Sequence, residues 1–312
     1  MTRAQNKIKR LEFHISYECT NNCLFCSERT QIEKFPNQFV SKKEVEKKLI
    51  EFAKKGITHV TFTGGEPTLH PSFLEILKFA KELNYTVYVS SNGALFSLRD
   101  FCKKTFPYID EICFSIHGHQ EKVHNFHTRN PQSFNLLVKA LENFEKLPYN
   151  IYGFANIVIT KYNFDYLEKI VEFLGNYKKI KQILFSNLAP EGNGLRNFEK
   201  LVVPLDLIEK KIKKLMRSKI LKSLIVRFFG VPLCIFGEWK FFSNDLHWAP
   251  RITIEKWEKQ KRVYLKTTFS YKPTRKRIKP KKCQKCQVKQ ICGGVFKKYF
   301  QVFGDKELKP IF

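Results

Sequence analysis

Between Arg10 and Leu215 the chain alternates six times between a short apolar run and a stretch with apolar residues at helical spacing. The runs are RLEFHISY, ITHVTFT, YTVYVSS, EICFSI, NIYGFANIVIT and IKQILFSN. The first helical stripes carry Val45, Leu49, Phe52 and Ala53, then Phe73, Ile76, Leu77 and Ala80 behind Pro71, a residue tolerated at a helix start. A short helix is expected over Leu98–Lys104. Further stripes fall at Phe134, Leu137, Val138 and Leu141, at Leu167, Ile170, Val171 and Leu174, and at Leu205, Ile208, Ile212 and Leu215. Strands that alternate with helices lie parallel and are joined by right-handed crossovers. The expected fold is therefore α/β, a partial (β/α)6 TIM-like barrel over residues 1–220. From Leu221 the alternation stops, and residues 221–312 are expected to form a small cysteine-bearing extension of irregular structure. In such barrels chemistry sits on loops at the carboxyl ends of strands, so functional residues should follow strands directly.

At 312 residues and 43% hydrophobic content, the chain can bury a sizeable core. Its opening, MTRAQNKIKRLEFHIS, has basic residues but lacks the apolar stretch of a secretory leader. The longest apolar run, LIVRFFGVPLCIF, is broken by Arg227 and falls short of the roughly 18 residues a membrane span needs. The expectation is a cytoplasmic protein without membrane association, in a compartment that keeps thiols reduced. Nine cysteines, an odd number, fit poorly with a full disulfide framework and better with metal ligation. The formal charge of +27 is concentrated late, in RITIEKWEKQKRVYLKTTFSYKPTRKRIKPKKCQKCQVKQ, with Trp257, Tyr264, Phe269 and Tyr271 interleaved. Such a stripe can track a phosphate backbone, which makes nucleic acid one partner class; a solvated basic surface is the plainer reading.

YECTNNCLFCSER places Cys19, Cys23 and Cys26 within eight residues, directly after the first strand. Three thiols so close could staple a loop by disulfide, hold zinc or hold an iron–sulfur cluster. Zinc would need a fourth donor such as His14, which belongs to the preceding strand. The second strand ends in HVTFTGGEPTLHP: Gly64 and Gly65 allow close backbone approach, and Glu66, before Pro67, sets a carboxylate at a strand end. Ser90, Ser91, Asn92 and Gly93 end the third strand, Ser115 closes the fourth, and Asn156 lies in the fifth.

The C-x3-C-x2-C spacing with Phe25 before the last cysteine, followed by GGEP after the next strand, is similar to the signature of the radical S-adenosylmethionine (SAM) superfamily. The resemblance runs through roughly the first two hundred residues. It implies that Cys19, Cys23 and Cys26 ligate three irons of a [4Fe–4S] cluster whose fourth iron binds SAM. It further implies that Gly64, Gly65, Glu66 and Pro67 hold the amino group of SAM, with Phe25 in the same cofactor site. Ser91 and Asn92 would reach the SAM carboxylate or ribose, and Ser115 and Asn156 the ribose. The implied activity is reductive cleavage of SAM to a 5′-deoxyadenosyl radical that abstracts hydrogen from a substrate, with a reductant such as flavodoxin or ferredoxin.

Near the end, CQKCQVKQIC supplies Cys283, Cys286 and Cys292, with Cys234 upstream in GVPLCIFG. This resembles the SPASM and twitch extensions of radical SAM enzymes. No cysteine follows Cys292, so the shorter twitch-like reading fits, with one auxiliary [4Fe–4S] cluster on Cys234, Cys283, Cys286 and Cys292; a zinc ribbon on the same thiolates is the alternative. Cys102 and Cys113 have no motif around them and are expected as inert buried thiols. SIHGHQEKVHNFHTRN carries His117, His119, His124 and His127, read as ordinary loop histidines, as cavity lining at His117, or as a second metal site. An auxiliary cluster favours an oxidative outcome on a peptide or a cofactor precursor. Modification of a nucleotide or RNA is the second substrate class, and a zinc-bearing nucleic-acid-binding protein or an iron–sulfur electron carrier is the non-enzymatic reading.

Overall fold

Alternation along each strand decides the two faces of the sheet. In the computed structural model, which describes residues 8–312, Leu11, Phe13, Val60, Phe62, Val87, Val89, Ile112, Phe114, Ile157 and Phe185 are fully buried on one face. Their neighbours Glu12, Thr61, Thr63, Ser90, Ser115, Asn156 and Ser186 point the other way and are half-buried and polar. Helices cover the apolar face; the polar face is concave and carries the candidate site. Residues 1–7, part of the stretch read for a leader, lie outside the described residues.

Strands β1 (Arg10–Ser16), β2 (His59–Gly64), β3 (Thr86–Ser91), β4 (Glu111–Ser115), β5 (Tyr152–Ile159), β6 (Ile180–Asn187) and β7 (Ile225–Phe229) pair in parallel in chain order. Helices α1 (Arg29–Lys34) and α2 (Lys42–Ala53) join β1 to β2, α3 (Phe73–Glu82) follows β2, and α4 (Arg99–Thr105) follows β3. Helices α5 (Glu121–Thr128) and α6 (Ser133–Lys146) follow β4, and α7 (Leu167–Leu174) follows β5. Four helices, α8 (Gly192–Arg196), α9 (Phe198–Leu201), α10 (Leu205–Leu215) and α11 (Lys219–Lys222), lie between β6 and β7. The expected stripes of α3, α7 and α10 are buried as read, and α2 starts on a reciprocal Ser41–Glu44 capping box. In α6 the buried stripe is Leu137, Ala140, Leu141 and Phe144, so Phe134 and Val138 are only partly covered. The sheet is α/β and mostly parallel, consistent with a partial TIM-like barrel, and no closed barrel forms.

The region after Leu221 is not irregular throughout. Strand β7 extends the sheet beyond β6, and β8 (Arg251–Lys259) and β9 (Arg262–Ser270) add a hairpin at the other edge. Strand β8 pairs in parallel with β1, from Arg10↔Arg251 to Phe13↔Ile254, and β9 is the outer edge strand. The hairpin turns on Gln260 and Lys261, both left-handed at φ 51° and 64°. That geometry is usually announced by Asn-Gly, so this sequence hides it behind a run of charge. The interleaved aromatics sit in the hairpin: the Lys266 ammonium lies 3.7 Å from the Trp257 ring centroid, and Tyr264 and Phe269 are exposed. Among the described residues no helix is long and apolar enough to cross a membrane.

The segment beyond the hairpin is pinned by a buried ion pair. Arg277, in β10 (Arg277–Ile278), donates from Nη1 and Nη2 to Asp245 Oδ1 and Oδ2 at 2.7 and 2.9 Å. Its Nε donates to Gly294 O at 2.9 Å, and Gly293 N donates to Asp245 Oδ2 at 2.8 Å. The fork therefore holds the turn that follows Cys292, just before β11 (Val295–Phe296) and α12 (Lys297–Phe303). Removing one partner strands a buried charge, so Asp245→Ala should cost about 3–5 kcal/mol in urea unfolding. The double variant Asp245→Leu/Arg277→Met should recover most of that loss. A single-variant loss below about 1 kcal/mol would contradict this role.

Candidate active site

Strand β1 runs into a loop, Tyr17 to Glu28, that has no helix or strand of its own, so its backbone groups need partners elsewhere. Asn22 N donates to Thr128 O and Leu24 N to His127 O, both at 2.9 Å, at the end of α5. From α8, Asn193 N donates to Cys26 O and Asn193 Nδ2 to Cys23 O, each at 2.9 Å, and Asn197 Nδ2 donates to Leu24 O at 2.8 Å. Arg29 and Asn130 bind the carbonyls of Asn21 and Thr20. Gly192, at φ +51°, has no room for a side chain: a Cβ there would lie 2.4 Å from Cys26 O.

Held this way, Cys19, Cys23 and Cys26 line one cavity of about 280 Å³ at the carboxyl ends of the strands. Phe25, Gly64, Gly65, Glu66, Ser91, Asn92, Ser115, Asn156 and His117 line it too, so all but one of the residues expected from the first cluster and the strand ends come together. Pro67 is the exception: it is buried at the start of a 3-10 turn outside the cavity. Burial pushes the thiols up, Cys19 to about 12, Cys26 to about 11 and Cys23 well above its ordinary value. Thiols so placed stay protonated unless a cation takes them as thiolates.

Spacing distinguishes the cations. Zinc bonds of about 2.3 Å would bring thiolate sulfurs within about 4 Å of one another. Among the described residues only His14, Glu28 and Glu255 bring three ligand atoms within 4.8 Å, and the cysteine trio does not. A cluster of several irons, each taking one thiolate, suits this wider arrangement, and donors from Asn21 N and Asn92 Nδ2 at 3.5 and 3.7 Å from Cys19 Sγ suit a cluster ligand. His14, which the zinc alternative would need as a fourth donor, lies between Glu28 and Glu12, at 3.0 and 3.4 Å, outside the cysteine cavity.

The GGEP turn locks β2 to the cysteine loop. Gly65 N donates to Ser16 O at 2.8 Å and Glu66 N to Glu18 O at 2.7 Å. A Cβ at Gly64 or Gly65 would lie 2.3 Å from those same carbonyl oxygens, so the close approach these glycines permit is to the chain itself. Glu66 is buried and both its oxygens are used: Oε1 accepts from Thr68 N, Thr68 Oγ1 and Ser91 Oγ, and Oε2 from Asn92 N. Burial pushes its carboxyl above the ordinary range in spite of these donors. Asn92 in turn donates to Thr20 Oγ1 at 3.0 Å, and Asn156 Oδ1 accepts from Ser186 Oγ at 2.8 Å. Glu66 thereby couples the ends of β2 and β3.

His117 lies against Phe25, ring centroids 4.4 Å apart, and its Nδ1 accepts from Val158 N, which leaves the ring proton on Nε2. Burial, with His124 and His127 nearby, keeps it neutral by lowering it well below the usual range. His127 bridges Val123 O and Thr160 Oγ1 at 2.6 and 2.7 Å, a structural use, and the histidines do not gather as metal ligands. Cys102 and Cys113 are buried thiols raised by burial to about 12 and about 11.

The second set also converges. Cys234, Cys283, Cys286 and Cys292 line a small enclosed cavity walled by Pro232, Val288, Val295, Leu308 and Pro310. Gly294 N and Ile311 N point at Cys292 Sγ and Cys286 Sγ at 3.3 and 3.4 Å. Sequence reasoning missed the clamp residues Asn130, Gly192, Asn193 and Asn197, whose partners in the cysteine loop lie more than 100 residues away in the chain. Gly192→Ala should lower iron bound after anaerobic reconstitution by about four per chain with the far-ultraviolet circular dichroism unchanged. Unchanged iron would contradict the clamp.

Comparison with known proteins bears on the family and the fold. The family model described as the radical SAM superfamily matches residues 13–174, a little over half the chain. An S-adenosylmethionine-dependent nucleotide dehydratase from Flammeovirga pacifica is 25% identical over 71% of this chain and 77% of that protein. A probable GTP 3′,8-cyclase from Pyrococcus horikoshii is 25% identical over 67% of this chain and 66% of its own. The mycofactocin maturase MftC of Mycobacterium ulcerans is 25% identical over 61% of this chain and 50% of its own. The chain thus spans between half and about three quarters of these relatives. Streptococcus suis SuiB, solved with S-adenosylmethionine, superposes over 93% of this chain and 73% of its own with a TM-score of 0.62 at 15% identity. Solved with its precursor peptide SuiA, it superposes over 80% of this chain and 58% of its own at 0.61 and 14% identity. The fold is shared with SuiB, and the sequence match across more than half of the chain makes this protein a member of the radical SAM superfamily of enzymes.

Proposed function

We propose that the chain cleaves SAM reductively at a [4Fe–4S] cluster held by Cys19, Cys23 and Cys26 and removes hydrogen from a peptide or a cofactor precursor. The observation that carries this reading is the cavity itself: three half-buried thiols, spread too widely for one metal ion, beside a turn of two glycines and a buried glutamate. When bound, the cluster and SAM supply one-electron cleavage of a sulfonium bond and abstraction of a hydrogen atom from an unreactive carbon. The residues of the chain supply position. The Gly64–Gly65 carbonyls and Asn92 would hold the polar end of a bound amino acid, Ser115 and Asn156 would offer hydrogen-bonding groups to a ribose, and Phe25 with neutral His117 would keep one wall apolar and dry.

The lining of the cavity supports one substrate class over another. Its lining includes no lysine or arginine, in a chain of net charge +27. A polyphosphate substrate would call for cationic side chains there. This supports an uncharged group, such as a peptide segment or a neutral precursor, and SuiB, which shares the fold, is bound to a precursor peptide. The reading of a nucleotide substrate draws on the dehydratase and cyclase relatives. A reductant such as flavodoxin or ferredoxin would deliver the electron.

Cys234, Cys283, Cys286 and Cys292 would hold an auxiliary [4Fe–4S] cluster in a twitch-like extension, residues 221–312, added to a barrel portion that runs to residue 220. Four thiols around an enclosure lined by apolar residues with Lys279 and Lys289 would complete the ligand set of such a cluster, which suits electron acceptance and an oxidative outcome. The two portions share one sheet through β7 and β8.

Anaerobically reconstituted protein given SAM and a strong reductant should form 5′-deoxyadenosine, and Cys23→Ala should abolish it; formation at the wild-type rate by Cys23→Ala would overturn the assignment. Cys283→Ala should retain SAM cleavage but lose about four of about eight irons. Deoxyadenosine formation stimulated by a nucleoside triphosphate and not by peptides would favour the nucleotide reading.

A further inference from the structure

Beside the cysteine loop, outside the cavity assigned to SAM, β1, β8 and the start of α1 bring together a second set of metal-ligand side chains. The ligand atoms of His14, Glu28 and Glu255 all lie within 4.8 Å of one another. We propose that His14, Glu28 and Glu255 form a mononuclear site for a divalent transition-metal cation, distinct from both cysteine sites.

Three observations on different links of the chain support it. Glu255 is 92% buried, 8% exposed, yet its carboxylate makes no hydrogen bond or ion pair with any described residue, although it points at His14 and Glu28. The carboxylate keeps a little contact with solvent; a carboxylate so largely withdrawn from water and without a protein partner is costly, and a cation lowers that cost. The charges also count. Glu12, Glu28 and Glu255 face His14 and Arg251, with His14 contacting Glu28 and Glu12 and Arg251 contacting Glu12 at 3.2 Å. Even with His14 charged, the group keeps one uncompensated negative charge; the nearby Arg275 is engaged by Glu191 at 2.5 Å. A dication that displaces the proton of His14 brings the balance to zero.

The spacing of His14 and Glu28 suits a shared ion, and the Glu255 oxygen lies within 4.8 Å of both. Cis ligands about 2.1 Å from a metal sit about 3 Å apart, and His14 Nδ1 lies 3.0 Å from Glu28 Oε2. One imidazole and two carboxylates form a set of intermediate hardness, which suits manganese, iron, cobalt or zinc better than copper(I), calcium or magnesium. Three protein ligands leave positions for water. Because Glu28 follows Cys26 by two residues, an ion here would tie the cysteine loop to β1 and β8 at once.

Manganese(II) is the probe, since it disfavours thiolates. Full-length protein with its cysteine sites filled by reconstitution and loose metal removed by chelation should take up about one Mn²⁺ per chain, read by loss of the free-ion electron paramagnetic resonance signal. Glu255→Gln should weaken that uptake at least about tenfold, while Glu258→Gln on the same strand should leave it unchanged. His14→Gln is the second variant, and melting of the wild-type protein with and without Mn²⁺ is an independent readout, with a rise expected. No stoichiometric uptake and no rise in melting temperature by the wild type, or wild-type uptake by Glu255→Gln, would overturn the site whatever the outcome for SAM cleavage.

Discussion

The cysteine loop cannot satisfy itself. Eight residues carry three thiols and no regular structure, and several of their backbone groups are answered by other segments, the end of α5 and the side chains of Asn193 and Asn197, while the GGEP turn after β2 binds Ser16 O and Glu18 O just before them. Each partner is a strand-end or helix-end group, so the loop exists in this shape only when several strands are in register. That requirement makes the parallel sheet more than a scaffold. Strand order brings β2 beside β1, crossover helices return the chain to the same end, and the thiols meet only where those connections converge.

Function and stability divide between the two faces. The convex face is continuous apolar packing, with Phe13, Phe62, Phe114 and Phe185 fully buried. Each such ring contributes about 2–3 kcal/mol by burial. The concave face carries hydroxyls, amides and thiols whose interactions are local and directional. Glu66 shows how that face works: a buried carboxylate, itself costly, is made tolerable by Thr68, Ser91 and Asn92, and in exchange it sets the relative position of two strand ends. The Asp245–Arg277 fork does the same for the second cysteine set, where it ties the turn after Cys292 to the start of β10.

The barrel strands and the first cysteine site were legible because local signals coincide with global ones. The period-2 and period-3.6 patterns gave the strands and helices, and chemistry placed directly after a strand marked the site. Less was readable where partners are remote in sequence. Asn193 and Asn197 bind a loop some 170 residues earlier, and nothing local distinguishes them from other loop asparagines. The β8–β9 hairpin was hidden because its left-handed turn uses Gln260 and Lys261, and because β8 pairs with β1 at the opposite end of the chain. His14 was weighed only as a zinc donor to the cysteines, since neither Glu28 nor Glu255 is at metal-motif spacing from it. Pro67 was grouped with the cofactor contacts by its place in a motif, whereas it serves the backbone of the turn.

The central claim is that three thiolates hold a cluster with one iron open to SAM. Electron–nuclear double resonance on the reduced holoprotein, with SAM labelled by ¹⁵N at its amino group and ¹⁷O at its carboxylate, tests it at the atoms concerned. Hyperfine coupling of both nuclei to the cluster spin is the expected result; a cluster that forms but shows neither coupling would contradict the account.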